Sequence, residues 1–251
     1  MKRIINFSGG RSSALMTILE YNPETDYVLF CDTGREHPKT YKFIMDFEAY
    51  EGIPVIKIGG KKGEDVVEMG SKDYFGEMLE GYKHKQIPNM AKRFCTIDLK
   101  IKPARRWARR NIGMRYVNMI GFRSDEHKRK ADQHYKQVPI AYPLMERGIN
   151  KAAVNEYWNE KPYRLEMPSI LGNCTLCFMK GKNAIISILK QFPELADKYI
   201  QDESEAKKSK GHTYLTGLSI KQCLDIAQMP DLFSGIDLNE LSPAYSCNCH
   251  T

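Results

Sequence analysis

The 251-residue chain has no apolar run near the roughly 20 residues that a membrane-spanning helix needs, which excludes a helical membrane protein. Its opening, MKRIINFSGG, carries two cations and too few apolar residues for a signal-peptide core, so a cytoplasmic protein is expected. Internal repeats and low-complexity tracts are missing, which excludes solenoid and fibrous classes. Neither GxxxxGK followed by Ser or Thr nor GxGxxG occurs anywhere, so neither the Walker-type phosphate loop nor the usual dinucleotide fingerprint is available. Cysteines number seven, an odd count. In a reducing compartment they read as thiols, metal ligands or catalytic groups rather than as a disulfide framework.

What is present is ordinary globular material, 42% hydrophobic and 27% charged. The length suits one α/β domain with an appendage. Net charge is +7, from 38 Lys and Arg against 31 Asp and Glu. Such a surface attracts polyanions such as nucleotides or nucleic acid, although a solvated basic face reads the same way.

Short β-prone segments alternate with helical spacing. Residues 4–7 run into Ser8-Gly9-Gly10-Arg11-Ser12-Ser13, and Leu15, Ile18 and Leu19 follow at helical intervals, giving a strand, a glycine turn and a helix with a serine placed to cap it. Residues 27–31 repeat the logic, with Asp32-Thr33-Gly34 as the turn and Pro38 opening a helix that carries Tyr41, Ile44 and Phe47. Further strands are expected at 54–58, 116–120 and 140–144, and a helix opening at Pro103 is rich in Arg105, Arg106, Arg109 and Arg110. The expected fold is α/β, a doubly wound, mainly parallel five-stranded sheet followed by a helical, cysteine-bearing part. Residues 1–160 form the first domain, with 59–92 as an insertion or lid, and residues 161–251 the second. Asn150 caps a helix leading towards the second, where Ile185, Ile188 and Leu189 share a face and helices follow Pro193 and Ser219.

Glycines between a strand and a helix let backbone N–H groups converge on an anion, and the helix dipole adds positive potential. Ser8, Ser12 and Ser13 add hydroxyls. The alternative is a tight connection with no ligand. The segment SGGRSS at 8–13 resembles the SGGxDS signature of the PP-loop superfamily, the adenine nucleotide α-hydrolase-like, Rossmann-like fold. Asp32-Thr33-Gly34-Arg35-Glu36-His37-Pro38, Gly121-Phe122-Arg123-Ser124-Asp125-Glu126, Arg93-Phe94-Cys95-Thr96 and Leu99-Lys100 extend the likeness to the phosphoadenosine phosphosulfate (PAPS) reductase family. The resemblance implies that residues 8–13, Asp32, Thr33, Gly34 and Arg123 bind an adenine nucleotide: ATP, PAPS or adenylyl sulfate. Ser12 stands where ATP pyrophosphatases have an aspartate that organises magnesium, and Asp32 is the residue placed to compensate.

Cys174-x-x-Cys177 has the spacing that delivers two thiolates to one metal. Cys95 and the tail, Cys247-Asn248-Cys249-His250, add further sulfur. Three readings stand: a [4Fe–4S] cluster on Cys95, Cys174, Cys177 and a tail cysteine such as Cys249; a zinc site; or free thiols, which suits Cys31 and Cys223 in their apolar surroundings. The tail also resembles the ending of PAPS reductases, which implies Cys247 as nucleophile with His250 beside it and a thioredoxin-like reductant.

Three functions follow from these motifs. One is thiol-dependent reduction of an adenylyl sulfate. Another is an ATP-using sulfurtransferase acting on tRNA or other nucleic acid, held by the 105–110 helix and the 83–85 loop. The third is a nucleotide-binding module without turnover.

Overall fold

The computed structural model describes residues 1–82, 86–129, 138–207, 213–229, 237, 238, 241 and 244. The loop at 83–85 and the tail residues Cys247, Cys249 and His250 lie outside them.

In chain order the first elements are β1 (Arg3–Asn6), α1 (Arg11–Glu20), β2 (Asp26–Asp32), α2 (Pro38–Glu51), β3 (Val55–Gly59), β4 (Glu64–Asp65) and α3 (Tyr74–Glu80). They are followed by α4 (Phe94–Thr96), α5 (Lys102–Asn111), β5 (Val117–Ile120), β6 (Ile140–Ala141) and α6 (Pro143–Glu146). The helices α7 (Lys151–Asn159), α8 (Lys182–Gln191), α9 (Asp197–Lys207) and α10 (Ile220–Ala227) form the rest.

Strand alternation sorts the core onto two faces. Ile5, Val28 and Phe30 pack with Leu15 of α1 and Phe43, Ile44 and Phe47 of α2. Ile4, Leu29 and Ile58 pack instead with Trp107 and Ala108 of α5. Helices therefore cover both faces, as near-continuous apolar strands require. The strand order is β4-β3-β2-β1-β5-β6, and every pairing is parallel except β3 with β4. The chain moves outward from β1 through β2 to β3 and then returns to place β5 on the other side of β1. The order thus reverses at β1, and the crevice beyond the carboxyl ends of β1 and β5 is where an open α/β sheet receives its ligand.

Three expectations change. The sheet has six strands rather than five, because Glu64–Asp65 adds an antiparallel edge. The strand expected over 140–144 stops at Ala141, because Pro143 lacks the N–H a ladder needs and opens α6 instead. Gly10, not a serine, is the N-cap of α1, and no side chain caps that helix.

Within residues 59–92, Tyr74, Phe75, Met78, Leu79 and Ile87 enter the main hydrophobic cluster. That cluster runs from Ile5 to Leu238 and spans the boundary at 160. Arg35 ties the halves together: it is 6% exposed, pairs with Asp73 (2.7 Å) and Asp202 of α9 (3.0 Å), and lies between the rings of Phe75 and Tyr199. No helix among the described residues is long and apolar enough to cross a membrane.

Candidate functional site

The turn after β1 is fastened from within. Ser13 Oγ accepts from Ser8 N–H at 3.0 Å, lies 3.0 Å from Ser8 Oγ and donates to Gly10 O at 3.0 Å. Gly9 sits at φ +72°, left-handed backbone that a side chain adopts only with strain, and a Cβ there would lie 2.5 Å from Thr40 Cγ2. The first-turn N–H groups of α1 are consequently left facing outward at the positive end of its dipole. They face a cavity of about 300 Å3 lined by Ser8, Gly10, Ser12, Ser13, Gly121 and Arg123. Gly121 matters by contact: a Cβ there would stand 3.0 Å from Ser13 Cα and 3.2 Å from Ser13 N, so the end of β5 can approach the loop only without a side chain.

Arg123 occupies the wall of this cavity. Its Nη1 reaches Ser12 Oγ at 3.3 Å, while Nε and Nη2 bond Asp125 at 3.1 and 3.0 Å and Nη1 pairs with Glu126 at 3.3 Å. Arg123 is thus both on the cavity wall and ion-paired with Asp125 and Glu126. Asp125 and Glu126 line the cavity too. Arg11 turns its guanidinium away from the loop, bonding Leu165 O at 2.8 Å and Asn155 at 3.3 Å, while its own carbonyl accepts from Trp158 Nε1 at 2.9 Å. It anchors the following part of the chain to the loop.

Asp32 lies off the cavity. Fully buried, it accepts from Gly34 N (2.8 Å), Tyr41 OH (2.9 Å) and Gly70 N (2.8 Å), so its oxygens hold the turn and do not stand in for the missing loop aspartate. Thr33 donates its hydroxyl to Glu36 at 2.8 Å, and Gly34, at φ +74°, closes against the carbonyl of Lys72. None of Asp32, Thr33 and Gly34 lines the cavity beside the glycine turn.

On the α5 face a smaller cavity of about 50 Å3 has an apolar floor of Ile4, Leu29 and Tyr116 and polar edges at Asn6, Asn118 and Arg105. Asn6 is held by bonds to Asn118 Oδ1 (2.7 Å) and Met119 O (3.0 Å). Asn6 and Ser8 line both cavities, which therefore adjoin.

The cysteine loop meets the β2 turn. Cys174 pairs with Glu36 in an antiparallel bridge, and Thr175 N–H donates to Arg35 O at 3.1 Å. Cys95, Cys174 and Cys177 line one pocket of about 30 Å3 together with Thr33, Lys100 and Asn173. Thr33 Oγ1 is 3.6 Å from Cys174 Sγ. Burial, reinforced by the Glu36 carboxylate, pushes the Cys174 thiol up to about 12, and burial pushes Cys95 up to about 11. Burial raises Glu36 as well. It works against the Lys100 ammonium, yet Cys174, Glu36, Cys31 and Cys177 hold that group above its ordinary value. Lys180, 5% exposed, donates to Cys174 O (2.9 Å) and Thr175 O (2.7 Å), and burial lowers it to about 8. Lys100 lines the thiol pocket, while Glu36 and Lys180 meet the backbone of Cys174. Among the described residues no three His, Cys, Asp or Glu side chains are spaced to hold a metal ion. Cys223 is a core thiol, as its helix predicts, and Cys31 Sγ contacts Lys100 O at 3.7 Å.

Sequence reasoning missed Lys180 and gave Arg35, Glu36 and Lys100 only as parts of a likeness. A lysine three residues after the second cysteine of CxxC was the visible signal for Lys180.

The phosphoadenosine phosphosulfate reductase domain model matches residues 2–142, a span that holds the whole sheet, the phosphate loop and Arg123. An uncharacterized nin region protein, ORF290, of Escherichia phage lambda is 30% identical over 205 residues, which cover 74% of this chain and 68% of the relative. The domain match covers more than half of the chain, and the reversal of strand order at β1 and the glycine turn feeding the N-terminus of α1 lie within it. The chain belongs to the phosphoadenosine phosphosulfate reductase domain family.

Proposed function

We propose that the protein is an enzyme that binds an adenine nucleotide and carries out sulfur chemistry on it, the thiol-dependent reduction of an adenylyl sulfate. One observation carries this reading: the three cavities are neighbours. Asn6 and Ser8 belong to the nucleoside and phosphate cavities, Lys100 to the nucleoside and thiol cavities, and Asn173 to the phosphate and thiol cavities. The loop N–H groups and Arg123 bind the phosphate, and Lys100 beside the thiols offsets part of the burial that holds them protonated.

The Cys247 thiolate attacks the sulfonyl sulfur, and the bond from that sulfur to the bridging phosphate oxygen breaks, its electron pair leaving with the nucleotide. The resulting thiosulfonate is opened by a thiolate of an external dithiol at the cysteine sulfur. Sulfite leaves, and the second thiol of the reductant resolves the mixed disulfide. His250, three residues on, supports the thiolate. A [4Fe–4S] cluster or zinc would need a tail cysteine such as Cys249 beside Cys95, Cys174 and Cys177; iron, sulfide and zinc analysis of anaerobically purified protein decides this.

The test is sulfite release from adenylyl sulfate or PAPS with thioredoxin or a small dithiol, under anaerobic conditions. Activity that disappears in Cys247→Ala is expected, and no sulfite from either substrate refutes the reading. A second reading, ATP-driven sulfur transfer to nucleic acid, is favoured by the arginines on the outer face of α5.

A further inference from the structure

Residues 99–123 contain eight lysines and arginines and no aspartate or glutamate, more positive charge than the net +7 of the whole chain. α5 divides this charge. Its apolar residues Trp107 and Ala108 are buried against the sheet, and Arg105, Arg106, Arg109 and Arg110 are exposed. Arg106 and Arg110 are already engaged: Arg106 donates to Lys61 O, and Arg110 to Lys62 O at 2.9 Å and Gly63 O at 2.5 Å. Lys102 is bonded to Asp98 at 2.8 Å.

Arg105, Arg109 and, just past the helix, Arg115 are different. All three are exposed, and no ion pair joins any of them to a carboxylate among the described residues. Arg105 and Arg109, four residues apart, stand about 6 Å from each other along the helix axis. Arg105 also forms part of the rim of the nucleoside cavity.

We propose that this face of α5, through Arg105, Arg109 and Arg115, binds the phosphate backbone of a nucleic acid and lays the strand across the mouth of the nucleoside cavity. Guanidinium forks match phosphate bidentately and favour this ligand. A membrane surface needs an apolar face turned toward the lipid, and that of α5 is turned into the sheet. A protein partner needs an apolar centre, which the outer face of the helix does not offer. The track of the strand rests on the second functional reading and on the cleft being a nucleotide site; the binding surface does not.

The experiment titrates a short fluorescein-labelled single-stranded RNA, single-stranded DNA and DNA duplex into the full chain between about 50 and 200 mM salt. The same is done for the Arg109→Ala/Arg115→Ala double variant, neither residue lining the nucleoside, phosphate or thiol cavity, and for Arg109→Lys/Arg115→Lys. Wild type binds with a steep salt dependence. The alanine variant binds about tenfold more weakly, and its log–log salt slope is shallower by about 1.4 (single strand) to 1.8 (duplex), the loss of two phosphate contacts. The lysine variant keeps most of the slope. An unchanged slope in the alanine variant, no binding at low salt, or equal binding of polyglutamate or anionic vesicles overturns the proposal. Adenine-nucleotide affinity is measured in parallel on the same variants. Nucleic-acid binding without nucleotide binding would refute the reading of the cleft and leave the surface standing; the converse would refute the surface alone.

Discussion

Removing the Ser13 hydroxyl tests whether the phosphate loop is held in shape by its own serines. In Ser13→Ala the Ser8 N–H loses the acceptor 3.0 Å away, and the bond to Gly10 O disappears. Ser13 is 5% exposed, so water does not readily replace the lost oxygen. An unsatisfied buried donor costs about 1–3 kcal/mol. For a chain of this size each kcal/mol lowers Tm by about 2–4 °C, so a fall of about 2–12 °C is expected by calorimetry. Ser8→Ala is the internal comparison. It removes one hydroxyl–hydroxyl contact and leaves the Ser8 N–H bonded, so its cost stays near the ordinary hydrogen-bond value of about 1 kcal/mol. Titration of an adenine nucleotide into both variants adds the functional axis: Ser13→Ala weakens binding more than Ser8→Ala, because only the former frees the loop backbone. Equal stability for the two variants, or a Ser13→Ala protein within about 0.5 kcal/mol of wild type, refutes the reasoning.

Gly121→Ala forces a Cβ to 3.0 Å from the Ser13 backbone and separates β5 from the loop; about 1–3 kcal/mol of destabilisation with weakened nucleotide binding is expected, and unaltered affinity counts against the close-approach argument. Arg35→Met leaves Asp73 and Asp202 facing each other without their cation, at a cost of about 3–5 kcal/mol measurable by urea unfolding. Asp98 is pulled up by burial, but hydrogen bonds from Lys102 and Tyr82 and the charge of Lys61 outweigh this and hold it below the usual carboxylate range. The stability it adds is present above the ordinary value, near 3.8, and is lost as pH falls through the depressed one. Asp98→Asn therefore unfolds more easily than wild type at pH 7, and the gap narrows below about pH 4; a gap independent of pH contradicts the assignment.

The strands around the switch point were legible because β1, β2, β3 and β5 are apolar on both faces and each is closed by glycine or proline. Pro38 and Asn150 marked the starts of α2 and α7, and Ser219 that of α10, where it forms a full capping box with Gln222. α3 was missed because its seven residues sit among lysines and glycines, although Asp73 as a cap before Tyr74, Phe75, Met78 and Leu79 gives the helical face. The site was legible as motifs, not as geometry. SGGRSS located the loop, but only packing separates the outward-facing Ser12 from Ser13, which ties the loop, and only burial assigns Asp32 to its turn. The partners of Arg35 lie 38 and 167 residues away, beyond the reach of any local pattern.

The bridge between Glu36 and Cys174 has a consequence for the order in which the molecule matures. During synthesis the first strands and the phosphate loop emerge long before the cysteine loop that closes on them. The contact spans 138 residues, so loop-closure entropy makes it a late event whenever the chain folds. Until it forms, Glu36 and Lys100 lack Cys174 and Cys177, and Cys95 stands open to oxidants. The thiol pocket thus comes into being only as the last large contacts are made, and alkylation of Cys174 and Cys177 during refolding gives a chemical clock for that final step.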